Sequence, residues 1–149
     1  MAIDLLNHRV SSNRLEHTEI AGIALSPDGK LFCTASELET ARVWDCSTLQ
    51  LLRELRGHPQ GVHAAAFSPN GKQVATGGVA IDAVKLWSMA SGQQVLTLER
   101  RRGISISVRY SADGSLIGAL NDNGELDVWR APSRAEIEAA EKRTQEKAQ

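Results

Sequence analysis

Short apolar runs alternate with polar turns along this chain, and the alternation predicts strands. I20-A-G-I23-A-L25 is mostly apolar, the pattern of a strand buried on both faces. S26-P27-D28-G29 ends it: Pro holds φ near about −65° and Gly supplies a positive φ, which together make a tight turn. L31-F-C-T-A-S36 reads as the returning strand. A41-R42-V43-W44 alternates so that Arg42 points away from the face of Ala41 and Val43. L49-Q-L-L-R-E-L55 completes a fourth strand.

The same series then recurs. Val62 to Phe67, an S-P-N-G turn, Gln73 to Gly78, Val84 to Trp87 and Val95 to Leu98 form a second set. A third runs through Ile104 to Tyr110, S-A-D-G, Leu116 to Leu120 and Leu126 to Trp129, with the hairpin signal N123-G124 before its last strand. The turn serines Ser26, Ser68 and Ser111 are 42 and 43 residues apart, and the tryptophans Trp44, Trp87 and Trp129 are 43 and 42 apart. A fixed period in this range marks a repeat architecture. Short strands at regular spacing make it an all-β repeat, with four strands expected per unit, and not a sandwich.

The two ends differ from the repeats. Residues 1–16 read as an N-terminal arm or a partial outer strand, interrupted by polar Ser11, Ser12 and Asn13. Pro132 stops the last strand, and S133-R-A-E136 is a capping box that opens a short C-terminal helix over 132–149, rich in Ala, Glu, Lys and Gln. Only Ile137 is large and apolar there, so the helix is expected to be solvated.

Composition narrows the classes of function. The chain has 149 residues, 42% hydrophobic and 23% charged, and a formal net charge of −1, so no global field draws it to nucleic acid or to anionic membrane. No apolar run reaches the roughly 18 residues of a membrane helix, and the first ten residues lack a signal peptide's apolar core. In a strand-turn-strand centred near Leu38, Cys33 would stand opposite about Val43 and away from Cys46. A disulfide is therefore not expected, and the compartment is read as reducing and cytoplasmic.

The motifs G57-H58, S68-P-N-G-K72 and V84-K-L-W87, with W44-D45 in the first unit, resemble the WD-repeat family of β-propellers over residues 17–131. The resemblance implies three blades, about 17–56, 57–99 and 100–131, each tied by a hydrogen-bonded His, Ser or Thr, Asp and Trp. Carried onto this chain, the tetrad candidates are His17, Thr34 and Trp44 in the first blade, with Leu38 where the Asp belongs. The second has His58, Thr76, Asp82 and Trp87, its Thr-to-Trp distance one residue longer than in the first. The third keeps only Trp129, with Ala119 for the Thr and Arg100 and Arg101 for G-H. The tail from Trp129 to Glu141 is also similar to the C-terminal end of large bacterial WD-repeat proteins, some of which carry a protein kinase domain. This chain has no H-R-D or D-F-G, and V79-A-I-D82 has Asp where the kinase strand needs Lys.

Three blades are fewer than the roughly four to eight of a closed propeller, so two outer faces are expected bare. The chain then reads as a partial propeller: part of a longer one, a self-associating piece, or a piece completed by another protein. No metalloprotease, nucleophile-elbow, phosphate-loop or dinucleotide signature is present, so a non-catalytic protein with no cofactor is expected. N121-D-N-G124 lacks the first acidic ligand of a calcium loop, since Ala119 stands there, and a hairpin turn explains it better. Arg100, Arg101 and Arg102 are the one basic cluster, able to pair with an acidic or phosphorylated peptide or simply to stand in solvent. Val79, Ala80 and Ile81 put apolar side chains in a turn that is normally polar. These two stretches are the candidates for contact with a protein or peptide partner. His63, outside the repeated positions, is read either as a base or ligand or as simply facing a neighbouring blade.

Overall fold

The computed structural model describes residues 15–38, 40–79, 84–99 and 103–131. Among these, eleven strands form three antiparallel sheets. The first holds β1 (Ile20–Leu25), β2 (Leu31–Ser36), β3 (Ala41–Asp45) and β4 (Leu51–Leu55). The second holds β5 (Ala64–Phe67), β6 (Gln73–Gly77), β7 (Val84–Ser88) and β8 (Gln94–Leu98). The third holds β9 (Ser105–Tyr110), β10 (Leu116–Asn121) and β11 (Leu126–Arg130). Within each sheet the strands follow one another in chain order, and the first strands of the sheets, β1, β5 and β9, lie side by side.

One local device closes the first hairpin of every sheet. The Ser26 hydroxyl donates to Asp28 Oδ1 at 2.6 Å and accepts from the Leu31 N–H at 2.9 Å, while the Lys30 N–H donates to the same carboxylate at 3.1 Å. Ser68 and Asn70 repeat these bonds in the second sheet, and Ser111 and Asp113 in the third. Gly29, Gly71 and Gly114 take φ of 69°, 68° and 75° at the matching position. The turn is therefore built from side chains that satisfy its own backbone.

Cross-strand partners share a face, so the register assigns two faces to each sheet. The first sheet turns Cys33, Ala35, Ala41, Val43 and Leu55 onto Ala65, Phe67, Val74 and Trp87 of the second. The opposite face of the second sheet, with Ala64, Ala66, Ala75, Val84 and Leu86, packs on Val108, Ile117 and Ala119 of the third. The middle sheet is thus covered on both sides, and all four residues of β5 are buried. Its run of alanines lets β1 and β9 approach closely. Gly77 shows how tight the second junction is: a Cβ there would lie 2.7 Å from Ser105 Cβ and 2.9 Å from Val108 Cγ2.

Three expectations change, and one falls on residues outside the described ones. β1 is not buried on both faces: Ile20, Ile23 and Leu25 are exposed, because no described sheet covers that side. The third sheet has three strands and not four among the described residues. β4 begins at Leu51, because Leu49 adopts φ 58° in a turn whose N–H reaches back to Asp45 O at 2.9 Å. The expected C-terminal helix lies outside the described residues, as does nearly all of the N-terminal arm.

The Gly77 contact yields a prediction. Gly77→Ala would force β6 and β9 apart and lower the unfolding free energy by about 1–3 kcal/mol. Urea denaturation followed by tryptophan fluorescence measures it; an unchanged midpoint would contradict the packing described.

Candidate functional site

The repeated histidines and tryptophans meet on threonine hydroxyls. In the first sheet Trp44 Nε1–H donates to Thr34 Oγ1 at 2.8 Å, and His17 Nδ1 lies 2.7 Å from the same oxygen. In the second, Trp87 Nε1–H donates to Thr76 Oγ1 at 2.7 Å, with His58 Nε2 at 2.8 Å. A threonine hydroxyl accepts the indole proton and keeps one proton of its own to offer the imidazole, so one small side chain joins two large ones. The His58 ring fits because Gly78 has no side chain: a Cβ there would sit 2.1 Å from His58 Nδ1. All six residues are buried, so these imidazoles are closed to any substrate in solution. Asp82, the fourth tetrad candidate, lies outside the described residues. In the third sheet Ala119 occupies the threonine position, and half-buried Trp129 packs beside the Ala64–Leu86 face without that hydroxyl.

The end of the sheets that carries the entry loops is stitched from blade to blade. The Val62 N–H donates to Ser36 O at 2.8 Å, and the Ser105 N–H donates to Gly78 O at 2.9 Å. Gly61, at φ 83°, lies against the Glu37 carbonyl, where any Cβ would collide at 1.8 Å. Val79 pairs with Ile104 in an isolated antiparallel bridge. Of the partner-contact candidates, half-buried Val79 is thus part of a blade-to-blade seam. Ala80, Ile81, Arg100, Arg101 and Arg102 lie outside the described residues.

Leu38, in the motif's Asp position, and His63, outside the repeated positions, both lie at this end. Leu38 is 73% exposed in the β2–β3 turn, the position equivalent to the Val79 loop of the next sheet. His63 Nδ1 lies 3.9 Å from Glu37 Oε1, an ion pair across the first junction whenever the imidazole is protonated.

The polar side chains of the β10–β11 turn serve the backbone. Asn121 Oδ1 accepts from the N–H groups of Asn123 and Glu125, at 3.1 and 2.7 Å, and Asp122 Oδ1 accepts from the Ile104 N–H at 2.9 Å. These oxygens are spent on the hairpin that N123-G124 signalled. Among the described residues no three of His, Cys, Asp and Glu gather where a metal ion could be held. Cys33 stands opposite Val43, neither cysteine is in a disulfide, and burial pushes the Cys33 thiol up to about 12, which keeps it protonated. No helix among the described residues is long and apolar enough to cross a membrane. Beside the first strands, Ile23, Leu25, Ala65, Phe67, Arg109 and Tyr110 line an open concavity of about 370 Å³.

The family model described as WD domain, G-beta repeat, matches residues 10–45 and 49–88. Over 123 residues the chain is 32% identical to an uncharacterized WD repeat-containing protein of Synechocystis, covering 79% of this chain and 34% of that one. It is 36% identical over 89 residues to the WD repeat and SOCS box-containing protein 1 of Homo sapiens, covering 58% of this chain and 21% of the relative. Over 118 residues it is 27% identical to the small ribosomal subunit protein RACK1y of Oryza sativa, covering 74% and 34%. The chain thus spans about a third or less of these relatives.

Two outcomes follow from the site. Thr76→Val keeps the shape of the side chain but strips the hydroxyl from two buried partners, at a cost of about 1–3 kcal/mol. A thermal melt followed by tryptophan emission reads it, and an unshifted melt would remove the hydroxyl's role as a tie. The second concerns acid. The Ser47 hydroxyl, with the Thr48 and Ser47 N–H groups, holds the Asp45 carboxyl at about 2, and the Ser111 hydroxyl, with the Ser115 N–H, does the same for Asp113. Both lie below the ordinary 3.8, so the unfolded chain binds more protons, and stability present above pH about 4 is lost as pH falls towards about 2. Asp45→Asn combined with Asp113→Asn should flatten that acid limb in urea melts; an equally steep limb would assign it to other carboxylates.

Proposed function

We propose, from the premise that this chain belongs to the WD-repeat family, that it is a non-catalytic scaffold for a protein or peptide partner and forms part of a larger propeller. Its blades hold the loops of the entry end in place, and those loops make the contact. The observation that carries the reading is the stitching of that end. Backbone bonds run from the first sheet to the second and from the second to the third, so neighbouring loops are presented as one rigid rim. Leu38 stands exposed on it as an apolar anchor. The buried histidines support the non-catalytic reading, since each is held to a threonine and shut away from solvent.

The partner chemistry follows from the sequence next to the Val79–Ile104 bridge. Ala80 and Ile81 follow Val79 directly, and Arg100, Arg101 and Arg102 shortly precede Ile104. An apolar segment and three guanidinium groups suit a peptide that combines an apolar residue with carboxylates or phosphate. The similarity of the tail to kinase-bearing bacterial proteins falls mostly on residues outside the described ones and adds no second reading.

Acidic and phosphorylated peptide arrays test this directly. The parent chain should bind a subset of them, and replacing Arg100, Arg101 and Arg102 together with Ala should remove that binding at unchanged thermal stability. An array that the parent leaves blank, or a variant that binds equally well, would reject the Arg cluster as the contact.

A further inference from the structure

The two outer faces of the three-sheet stack expose apolar side chains at the same register positions that the two internal junctions bury. On the third sheet, Leu120, Leu126 and Val128 correspond to Ala35, Ala41 and Val43 of the first and to Gly77, Val84 and Leu86 of the second, by the pairings of the ladders. In the first two sheets these positions are covered by the following blade. In the third, Leu126 is 64% exposed and Val128 56%. On the first sheet, Ile23 and Leu25 correspond to Ala65 and Phe67 of the second and to Val108 and Tyr110 of the third, again by register. Those counterparts pack on the preceding blade, whereas Ile23 is 65% exposed and Leu25 66%.

We infer that these two faces cover each other in a second copy of this chain, the third sheet of each copy packing on the first sheet of the other. Both halves of the junction reside in one sequence, one at each end of the stack, and each end continues an interface the fold already makes twice. The pairing is head-to-tail, because the third sheet ends on the face that receives a following blade and the first begins on the face that meets a preceding one. Two copies supply six blades, inside the range of roughly four to eight in which propellers close, whereas three copies would overshoot it. Exposed leucines and valines in contiguous patches are what such a junction removes from water. The inference names the source of the blades that the scaffold reading leaves open. It stands apart from that reading in the test, since peptide binding is read separately from mass.

The test is molar mass by light scattering across a concentration series, on the full chain and two variants. The parent is expected at twice the 16.1 kDa of one copy. Leu126→Asp with Val128→Asp spoils the third-sheet face, and Ile23→Asp with Leu25→Asp spoils the first-sheet face. Each variant alone should run as a folded monomer by circular dichroism, because the altered side chains already face solvent. Mixed in equal amounts, the two should form a heterodimer, since one junction of the ring keeps both of its native faces. A monomeric parent, an open-ended series of masses, variants that dimerise alone, or a mixture that stays monomeric would each overturn the inference. A monomeric parent that still binds its peptide would overturn this inference and leave the scaffold reading standing.

Discussion

Each described sheet carries apolar side chains on both of its faces, and that single constraint governs the rest of the architecture. A sheet with one wet face can stand alone on a core; a sheet with two dry faces needs a neighbour on each side. The middle sheet meets the condition in full, which is why four consecutive residues of β5 are buried. Small side chains are concentrated where the first strands crowd together: Ala64, Ala65 and Ala66 lie between β1 and β9, and Gly77 lies against Ser105. Bulk is placed further out along the sheets, with Phe67, Val74 and Trp87 filling the first junction.

The threonine-centred ties are a second layer on that packing. Each joins a residue of the entry loop to a residue on the third strand through a hydroxyl on the second, and so fixes the loop relative to the sheet. Two of the three sheets have it. The third makes do with a hairpin in which Asn121 and Asp122 hold the backbone of the β10–β11 turn and of the strand entry. Ordering the entry loops therefore passes from side-chain ties in the first two blades to Asn and Asp side chains in the last.

What the sequence made legible was whatever depends on a few neighbouring residues. The Ser-Xaa-Asp/Asn-Gly turns, the strand that follows each, and the placement of Cys33 across from Val43 all follow from local chemistry and period-two alternation. The convergence of His58, Thr76 and Trp87 was readable only through the family motif, because their separations of 18 and 11 residues carry no periodic signal. Exposure of β1 was not legible in its own residues, only in the blade count, which leaves two outer faces bare. IAGIAL has the composition of a buried strand, and only the presence or absence of a neighbouring sheet decides which it is. Leu49 departs from its sequence pattern for a related reason: a leucine before an apolar run looks like strand, while its φ of 58° is set by the Asp45 turn that it closes. Gly92, at φ 72°, fills the equivalent place in the second blade and gives the cleaner signal.

The three serine-centred turns have a kinetic meaning beyond their geometry. Each is closed by bonds that span two to five residues, so the entropy of loop closure is small and the hairpin it starts can form before any other part of the chain is in place. Nuclei of equal kind are therefore distributed evenly along the polypeptide, one per repeat. Folding has no need of a unique starting point, and a nascent chain leaving the ribosome can commit each hairpin as it emerges, docking it on the one before.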